Sequence, residues 1–517
     1  MNMDKGRFSV PVLMMLAGVC ASLLMWWVTD FGLGVSPDST LYMETAQNVL
    51  VGNGFSAGGA PMTQAPPAYP LLLAIVGLSQ NGDILRAGRL LGALFYGTNL
   101  VLFGITVHMC TARSRSATAC AVLVFLSSTG VMTVHAMAWT EPLFLAFTLA
   151  AFVLLSLYVL RATTLLLLVA SLMVGSAMVT RYVGVALLPT MASTILLLGD
   201  RSMKQKARDA FLASTVACLP LAAWLIRNFA TIGTATNRSF AIHLFGISYA
   251  KVFINTMYDY ALPITFFGWT KALHLGVVAL LLVVAVVLLH RRNYIKRYAN
   301  SVRITLPTIC FLFCLWYVAV FVISISFIDA DVLPNTRYML PVFLALSVAM
   351  ISLVRSLSRV LKQRFVWYGF MLFAFFSISM NISNTIYQAV DIHEKGRGYT
   401  SQYWRNSEII SFLQSDGDDR IIYSNGPDAI RFLTEKEAIL IPEKVFPMTR
   451  GANDEYEGQL SRMTVECSEG KALIAYINGI GWRNWYLPSI EELESDAYLP
   501  VLRRFNDGVI FGNPTDA

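Results

Sequence analysis

Charge is what this sequence has least of. Only 14% of its 517 residues are Asp, Glu, Lys or Arg, against 56% hydrophobic. A soluble core of this length cannot bury so much apolar surface, so the excess has to face lipid. Cysteine is scarce as well. Cys20, Cys110, Cys120, Cys218, Cys310 and Cys314 lie in or beside apolar runs, Cys467 stands alone, and no CxxC pair occurs, which excludes a disulfide framework. Cys310 and Cys314 are spaced four apart, as small thiols packing in a membrane helix would be. The sequence also lacks a glycine-rich phosphate cradle, an internal repeat and a low-complexity tract.

What it does have is a succession of apolar runs of roughly 16 to 22 residues, ending near residue 388 and close to the about 20 residues that cross a hydrocarbon core. About eleven spans are expected, near 9–28, 86–108, 117–136, 142–160, 163–180, 183–199, 210–226, 273–289, 304–325, 338–354 and 366–387. Lys5 and Arg7 precede the first run as in a secretory leader. Trp26 and Trp27 close it where small residues would be needed for cleavage, so it reads as a retained anchor.

With the N-terminus inside, 18 basic residues fall in cytoplasmic segments, clustered at 201–208, 291–303 and 355–364, and 8 fall outside. The positive-inside rule favours that orientation, and an odd number of spans then puts the C-terminus outside. The net charge of +7 hides two halves: residues 1–390 carry 26 basic and 11 acidic residues, residues 391–517 carry 13 and 21. Basic residues sit where membrane topology already calls for them, and the soluble part is acidic, so nucleic acid is not an expected partner. The fold class is a polytopic α-helical membrane protein, residues 1–390, with a C-terminal soluble α/β domain, residues 391–517.

Function is sought in the long non-cytoplasmic regions. The loop 30–85 contains an amphipathic stretch, Thr40 to Leu50, expected to lie on the membrane surface. The loop 227–272 is dense in aromatics from Phe240 to Trp269, which suits the headgroup level. The C-terminal region alternates helix and strand: helices near 405–414 and 427–434, strands near 420–424, 438–441 and 471–477, and a turn at Asn506-Asp507-Gly508 between two last strands.

Asp38, in SPDSTLYMETAQNVL, places a carboxylate near the outer water–lipid boundary. It suits a base for a lipid substrate and equally a helix cap, since Pro37-Asp38-Ser39-Thr40 is a good N-terminal signature. Glu141 follows Trp139-Thr140 and precedes Pro142 at the outer start of the fourth span, where an acid is favoured by the helix dipole whatever else it does. His135 is six residues before it; one His and one acid do not make a metal site, and a divalent metal is left open. Arg181, Arg227, Arg238 and Arg337 fall at outer span ends or in outer loops, against the charge trend. Such residues either snorkel to the interface or, facing a cavity, hold a lipid-linked phosphate.

Together these segments resemble the GT-C superfamily of membrane glycosyltransferases, especially the branch related to protein O-mannosyltransferases and the lipid A aminoarabinose transferase. The resemblance runs over most of residues 10–390 and rests on PDSTLYMETAQNVLVGNGFS after the first span, APPAYPLL at 65–72, WTEPLF at 139–144, TRYVG at 180–184, RNFATIGTATNR at 227–238 and RYMLP at 337–341. It implies a polyprenyl- or dolichyl-phosphate sugar as donor, inversion at the anomeric carbon, and an acidic base in the first outer loop, at Asp38. The four arginines would face the donor phosphate, and Tyr42, Tyr69 and Tyr338 the substrates. Several family members carry adjacent acids in that loop, whereas Ser39 follows Asp38 here, so Glu141 is the candidate second carboxylate. Ala65 stands where the aminoarabinose branch has Lys before its Pro-Pro pair.

The expectation is therefore an inverting transferase of a bacterial inner membrane, acting on its periplasmic face. Its acceptor would be a membrane-associated glycan, O-antigen or lipid A unit, or a protein. A transporter or flippase of lipid-linked sugars would carry ionisable residues deep within spans, and a non-catalytic assembly protein would use the C-terminal domain for partner binding.

Overall fold

The computed structural model describes residues 9–262, 301–417, 420–495 and 499–513, with isolated positions between 271 and 290. The chain enters the bundle through α1, Val10–Val28, which carries Pro11 in its first turn, where a missing N–H costs nothing. Two helices follow in the first outer loop: α2, Pro37–Leu50, and α3, Ala68–Ser79, separated by a short antiparallel pair, β1 (Ser56–Ala57) and β2 (Ala60–Pro61). The bundle continues with α4 (Ile84–Cys110), α5 (Arg115–Leu126), α6 (Thr129–His135), α7 (Glu141–Arg161), α8 (Thr164–Met178), a 3₁₀ turn at Tyr182–Ala186 with α9 (Leu187–Leu198), and α10 (Met203–Ile232). After α11 (Ile247–Ala261) come α12 (Val302–Phe327), α13 (Thr336–Val360) and α14 (Arg364–Lys395).

Seven of these helices are long and apolar enough to cross a membrane, and α5 with α6 makes an eighth if that bent pair is one span. The expected span 117–136 is thus not straight. It bends by 61° at Ser127-Ser128, where Ser128 caps a new helix by accepting from the Val131 N–H. The expected spans 163–180 and 183–199 are shorter apolar helices, and the expected span 273–289, apart from isolated positions, lies outside the described residues, as do Lys5, Arg7 and most of the 291–303 cluster.

The amphipathic helix α2 does not lie free on a membrane surface. Its face of Tyr42, Met43 and Ala46 is buried in one cluster with Tyr69 and Leu73 of α3 and Ala429 and Ile430 of the C-terminal region. A protein surface, not lipid, covers it, while Glu44 and Gln47 stay exposed. The aromatics of α11 likewise turn inward: Tyr260 stacks on Phe343 at 4.3 Å and donates to the Thr336 carbonyl at 2.6 Å. Phe266, Phe267 and Trp269 lie outside the described residues.

The C-terminal region holds a five-stranded sheet in the order β4-β3-β5-β7-β6, comprising β3 (Ile421–Ser424), β4 (Ala438–Leu440), β5 (Ala472–Ile477), β6 (Val501–Phe505) and β7 (Gly508–Phe511). Strands β4, β3 and β5 are parallel and β7 and β6 antiparallel. The expected helix near 405–414 is two pieces, α15 (Gln402–Arg405) and α16 (Glu408–Ser415); α17 (Pro427–Thr434) and α18 (Tyr456–Ser468) make the crossovers between parallel strands, and α19 spans Ile490–Ser495. All six residues of β5 are buried, as a parallel strand covered on both faces should be.

Two seams join this sheet region to one end of the bundle. On one, Gly398 bridges Val35, Tyr399 N–H donates to the Val35 carbonyl at 2.8 Å, and the Thr400 hydroxyl donates to the Leu33 carbonyl at 2.7 Å. On the other, Ala330 N–H donates to the Met448 carbonyl at 3.0 Å and His243 Nε2 to the Thr449 carbonyl at 2.8 Å.

Candidate active site

The site begins with a capping choice. Helix α2 starts at Pro37, and its cap is Ser36, whose Oγ accepts from the Ser39 N–H at 3.4 Å. Asp38 is therefore not the cap, and its carboxylate is free to point elsewhere. Ser36 is itself held by Trp139 Nε1, which donates to its Oγ at 2.8 Å. The backbone of the first outer loop runs alongside the chain before α7, with Gly34 N–H donating to the Ala136 carbonyl at 2.9 Å and Ala138 N–H to the Gly34 carbonyl at 2.8 Å.

Arg337 links Asp38 to two further chain segments. Arg337, in the first turn of α13, donates through Nη1 to Asp38 Oδ2 at 2.6 Å and through Nε to Glu141 Oε1. Arg181, between α8 and the 3₁₀ turn, pairs with the same Glu141 oxygen and donates to the Thr140 hydroxyl at 2.9 Å. The Arg337 guanidinium lies over the Trp139 ring, 4.4 Å from its centroid, and Arg181 lies 5.2 Å from that of Tyr338. Two guanidiniums and two carboxylates thus form one network in which the formal charges cancel.

The two acids differ in access. The Asp38 side chain keeps 48% of its surface open and that of Glu141 1%, so an incoming group meets Asp38. Burial among its neighbours pushes the Asp38 carboxyl up, but the Arg337 charge and hydrogen bond, with Arg181 and Arg238 farther off, outweigh it and hold it below the usual carboxylate value. Tyr42, one turn along α2, meets Tyr69 edge-on at 5.6 Å. Burial holds both phenols above their ordinary value, with the Asp38 charge adding to the effect on Tyr42.

Asp38, Glu141, Arg181, Arg337 and Tyr338 come together, with Tyr42 and Tyr69 beneath α2. Arg227 and Arg238 make other contacts. Arg227 donates to the Phe55 and Met62 carbonyls at 2.9 and 2.8 Å, tying the first outer loop to α10. Arg238 pairs with Asp329 and touches Met448 Sδ, at the second seam. His135 turns from Glu141 to Asn99 and the Val131 carbonyl. Sequence reasoning missed Ser36, Trp139 and Thr140 as partners, although all three flank residues it singled out. Among the described residues there is no group of three His, Cys, Asp or Glu placed to hold a metal ion; the cation between the two acids is Arg337.

Site and fold define a multi-pass membrane protein with a charge-balanced acidic centre at one end of its helices. Its fold is shared with solved membrane proteins. The chain is similar in structure to ArnT from Cupriavidus metallidurans bound to undecaprenyl phosphate, with a TM-score of 0.57 and 13% identity over 98% of each chain. It is also similar to the Archaeoglobus fulgidus oligosaccharyltransferase AglB in complex with an inhibitory peptide and a dolichol-phosphate, with a TM-score of 0.55 and 10% identity over 94% of this chain and 70% of that one. No family model matches the chain, and no curated protein matches it in sequence.

Proposed function

We propose that the protein is an inverting glycosyltransferase that moves a sugar from a polyprenyl-phosphate donor to a cell-envelope acceptor at the non-cytoplasmic face of a bacterial inner membrane. The observation that carries this reading is the meeting of Asp38, Arg337, Glu141 and Arg181 from distant parts of the chain, with Asp38 the open carboxylate. The shared fold with proteins solved with undecaprenyl phosphate and dolichol-phosphate supports a lipid-linked donor.

In this mechanism an Asp38 oxygen takes the proton of the acceptor hydroxyl as that oxygen bonds to the anomeric carbon. The bond from that carbon to the phosphate oxygen breaks, and its electron pair leaves on the polyprenyl phosphate. Attack opposite the leaving group inverts the centre. Charge balance gives Arg337 its part: before reaction the four charges cancel, and once Asp38 is protonated one positive charge is uncompensated beside a phosphate that has just gained negative charge. Arg181 lies on the same side. Glu141, with 1% of its side chain open, serves as a positioning residue that keeps both guanidiniums in place. Arg227 fixes the first outer loop, and Arg238 adds a more distant positive field.

The test is transfer by the purified protein in detergent, with a panel of polyprenyl-phosphate sugars and an envelope glycolipid extract. Asp38→Asn is expected to lower the rate by about 10²-fold or more, the usual worth of a general base. An unchanged rate would remove Asp38 as base, and no transfer by the wild type with any donor would remove the transferase reading.

A further inference from the structure

A polar side chain inside an apolar bundle has to justify itself, since an apolar residue of the same size would sit there with no donor or acceptor to satisfy. Asn99 is fully buried on α4, and both hydrogens of its Nδ2 are used. One is directed at His135 Nε2 at 3.0 Å, the other at the Pro142 carbonyl at 2.9 Å. A carbonyl can only accept, so the amide nitrogen has to face Pro142. The tautomer of His135 follows as well. Its Nδ1 stands 2.7 Å from the Val131 carbonyl and carries the proton, which leaves Nε2 to accept from Asn99.

The places where those two donors land set Asn99 apart from a side chain that merely joins one helix to another. His135 ends α6, and Pro142 lies in the first turn of α7. One amide on a third helix therefore ties together both ends of the break at 136–140. The face of α4 that bears it is shaped to fit: Gly92, Tyr96 and Asn99 are spaced four and three apart, on one side of the helix. A Cβ at Gly92 would stand 2.6 Å from the His135 carbonyl, and Tyr96 and Phe125 box the His135 ring edge-on at 5.2 and 6.0 Å. Gly34 holds the break from its outer side through the backbone of Ala136 and Ala138, and Asn99 holds it from within. The break in turn carries Trp139 against Arg337, and it leads through Thr140, which accepts from Arg181, into Glu141 with its two guanidiniums. The path to the open carboxylate is continuous. Pro142 is bonded to Glu141, Glu141 Oε1 accepts from Arg337 Nε, and Arg337 Nη1 reaches Asp38 Oδ2 at 2.6 Å.

We propose that Asn99 is a positioning residue of the reaction: its amide fixes the break between α6 and α7, and with it the Glu141 carboxylate that sets Arg337 against Asp38. It touches no reacting atom. In Asn99→Leu the Pro142 carbonyl remains part of α7, but His135 Nε2 loses its donor within an apolar box, and the two ends of the break are no longer tied to each other. Glu141 then shifts with the start of α7, and the guanidiniums paired to it shift too. The inference rests on the transferase reading for the use made of this geometry, but not for the geometry itself.

The test compares Asn99→Leu with Ser156→Ala, using the full chain in detergent. Ser156 of α7 is as deeply buried and shares a hydrogen bond with Thr305 at 2.8 Å, so its loss weakens the bundle without touching the break. One readout needs no donor: the pH at which Asp38 becomes labelled by a carbodiimide, which reacts with the protonated carboxyl, followed by peptide mass spectrometry. Burial raises the Asp38 carboxyl, and Arg337, with Arg181 and Arg238, outweighs it; Glu141, Tyr42, Tyr338 and Tyr399 are the other titratable groups of the same field. Labelling of the wild type is therefore confined to acid pH. In Asn99→Leu the onset is expected to move up by about one pH unit, and in Ser156→Ala to stay. The other readout is transfer, with kcat of Asn99→Leu lower by about tenfold or more. An unmoved onset in Asn99→Leu would overturn the proposal, and so would an equal shift in Ser156→Ala. If Asn99→Leu does not fold, His135→Phe, which removes the acceptor and keeps a ring, is read by the same criterion. If the onset moves but no donor supports transfer by the wild type, the positioning role stands and the transferase reading fails. If the wild type transfers and the onset stays, the reverse holds.

Discussion

Arg337 serves both carboxylates at once, Asp38 through Nη1 and Glu141 through Nε, a fork that a lysine ammonium cannot reproduce. Its removal should be visible in the pH profile. Burial raises the Asp38 carboxyl and Arg337 is the foremost influence lowering it, so that the folded value ends below the ordinary 3.8. A base must be ionised to act, so the acid limb of kcat/KM for the wild type lies below that value and the profile is flat toward neutrality. The same sign governs stability: Asp38 contributes above its unfolded pKa, and the contribution is lost as pH falls through the lower folded one. In Arg337→Gln burial is no longer offset by that charge. The acid limb should move up, with the plateau rate down by about 10²-fold. A profile measured from pH 3 to 8 with unmoved acid limb would mean that Arg337 does not set the state of Asp38.

At the scale of elements, the position of α2 depends on a turn far along the chain. Gly398 has φ of +62°, and a Cβ there would strike the Val35 carbonyl and peptide. Gly398→Ala should therefore strain the backbone and spread the first seam, at a cost of about 1–3 kcal/mol. The expected readouts are a lower midpoint of thermal unfolding in detergent and reduced transfer, against no lowering of either for Gly369→Ala on α14, whose Cβ would meet nothing within 4 Å. If Gly398→Ala unfolds and transfers like wild type, the seam does not set α2. The same seam explains what could be read from the sequence. Apolar length located the long helices, because a lipid-facing span is a local property, and strand-like runs such as Ile421–Ser424 and Ala472–Ile477 stood out for the same reason. The bend at Ser127-Ser128 was hidden inside an apolar run, and α2 read as a surface helix because the Ala429 and Ile430 that cover it are nearly 400 residues away. The outer-edge positions of Asp38, Glu141 and the arginines were legible; their pairing was not, since Arg337 reaches an acid 299 residues before it and another 196 before. Nothing local to Arg238 marks Asp329 as its partner, either.

For the whole molecule, both seams place the sheet region, Asp38 and the outer end of α1 on the same side, the last through His393 of α14, which stacks on Trp27 at 4.2 Å. Whichever side that is, the three go together. The distribution of 18 basic residues against 8 argues for the non-cytoplasmic side, and the chemistry depends on it. A lipid-linked donor is needed where nucleotide sugars are absent; were Asp38 to face the cytoplasm, that reason for a polyprenyl-phosphate sugar would vanish. Side can be measured apart from activity. In a cysteine-free background, Gly458→Cys, exposed on α18, should react with a membrane-impermeant maleimide in intact spheroplasts, and Lys204→Cys, exposed in the first turn of α10, only after lysis. The opposite pattern would leave the Asp38–Arg337 geometry intact and yet turn the site toward cytoplasmic substrates, so the proposed donor stands or falls on this labelling before any sugar is tested.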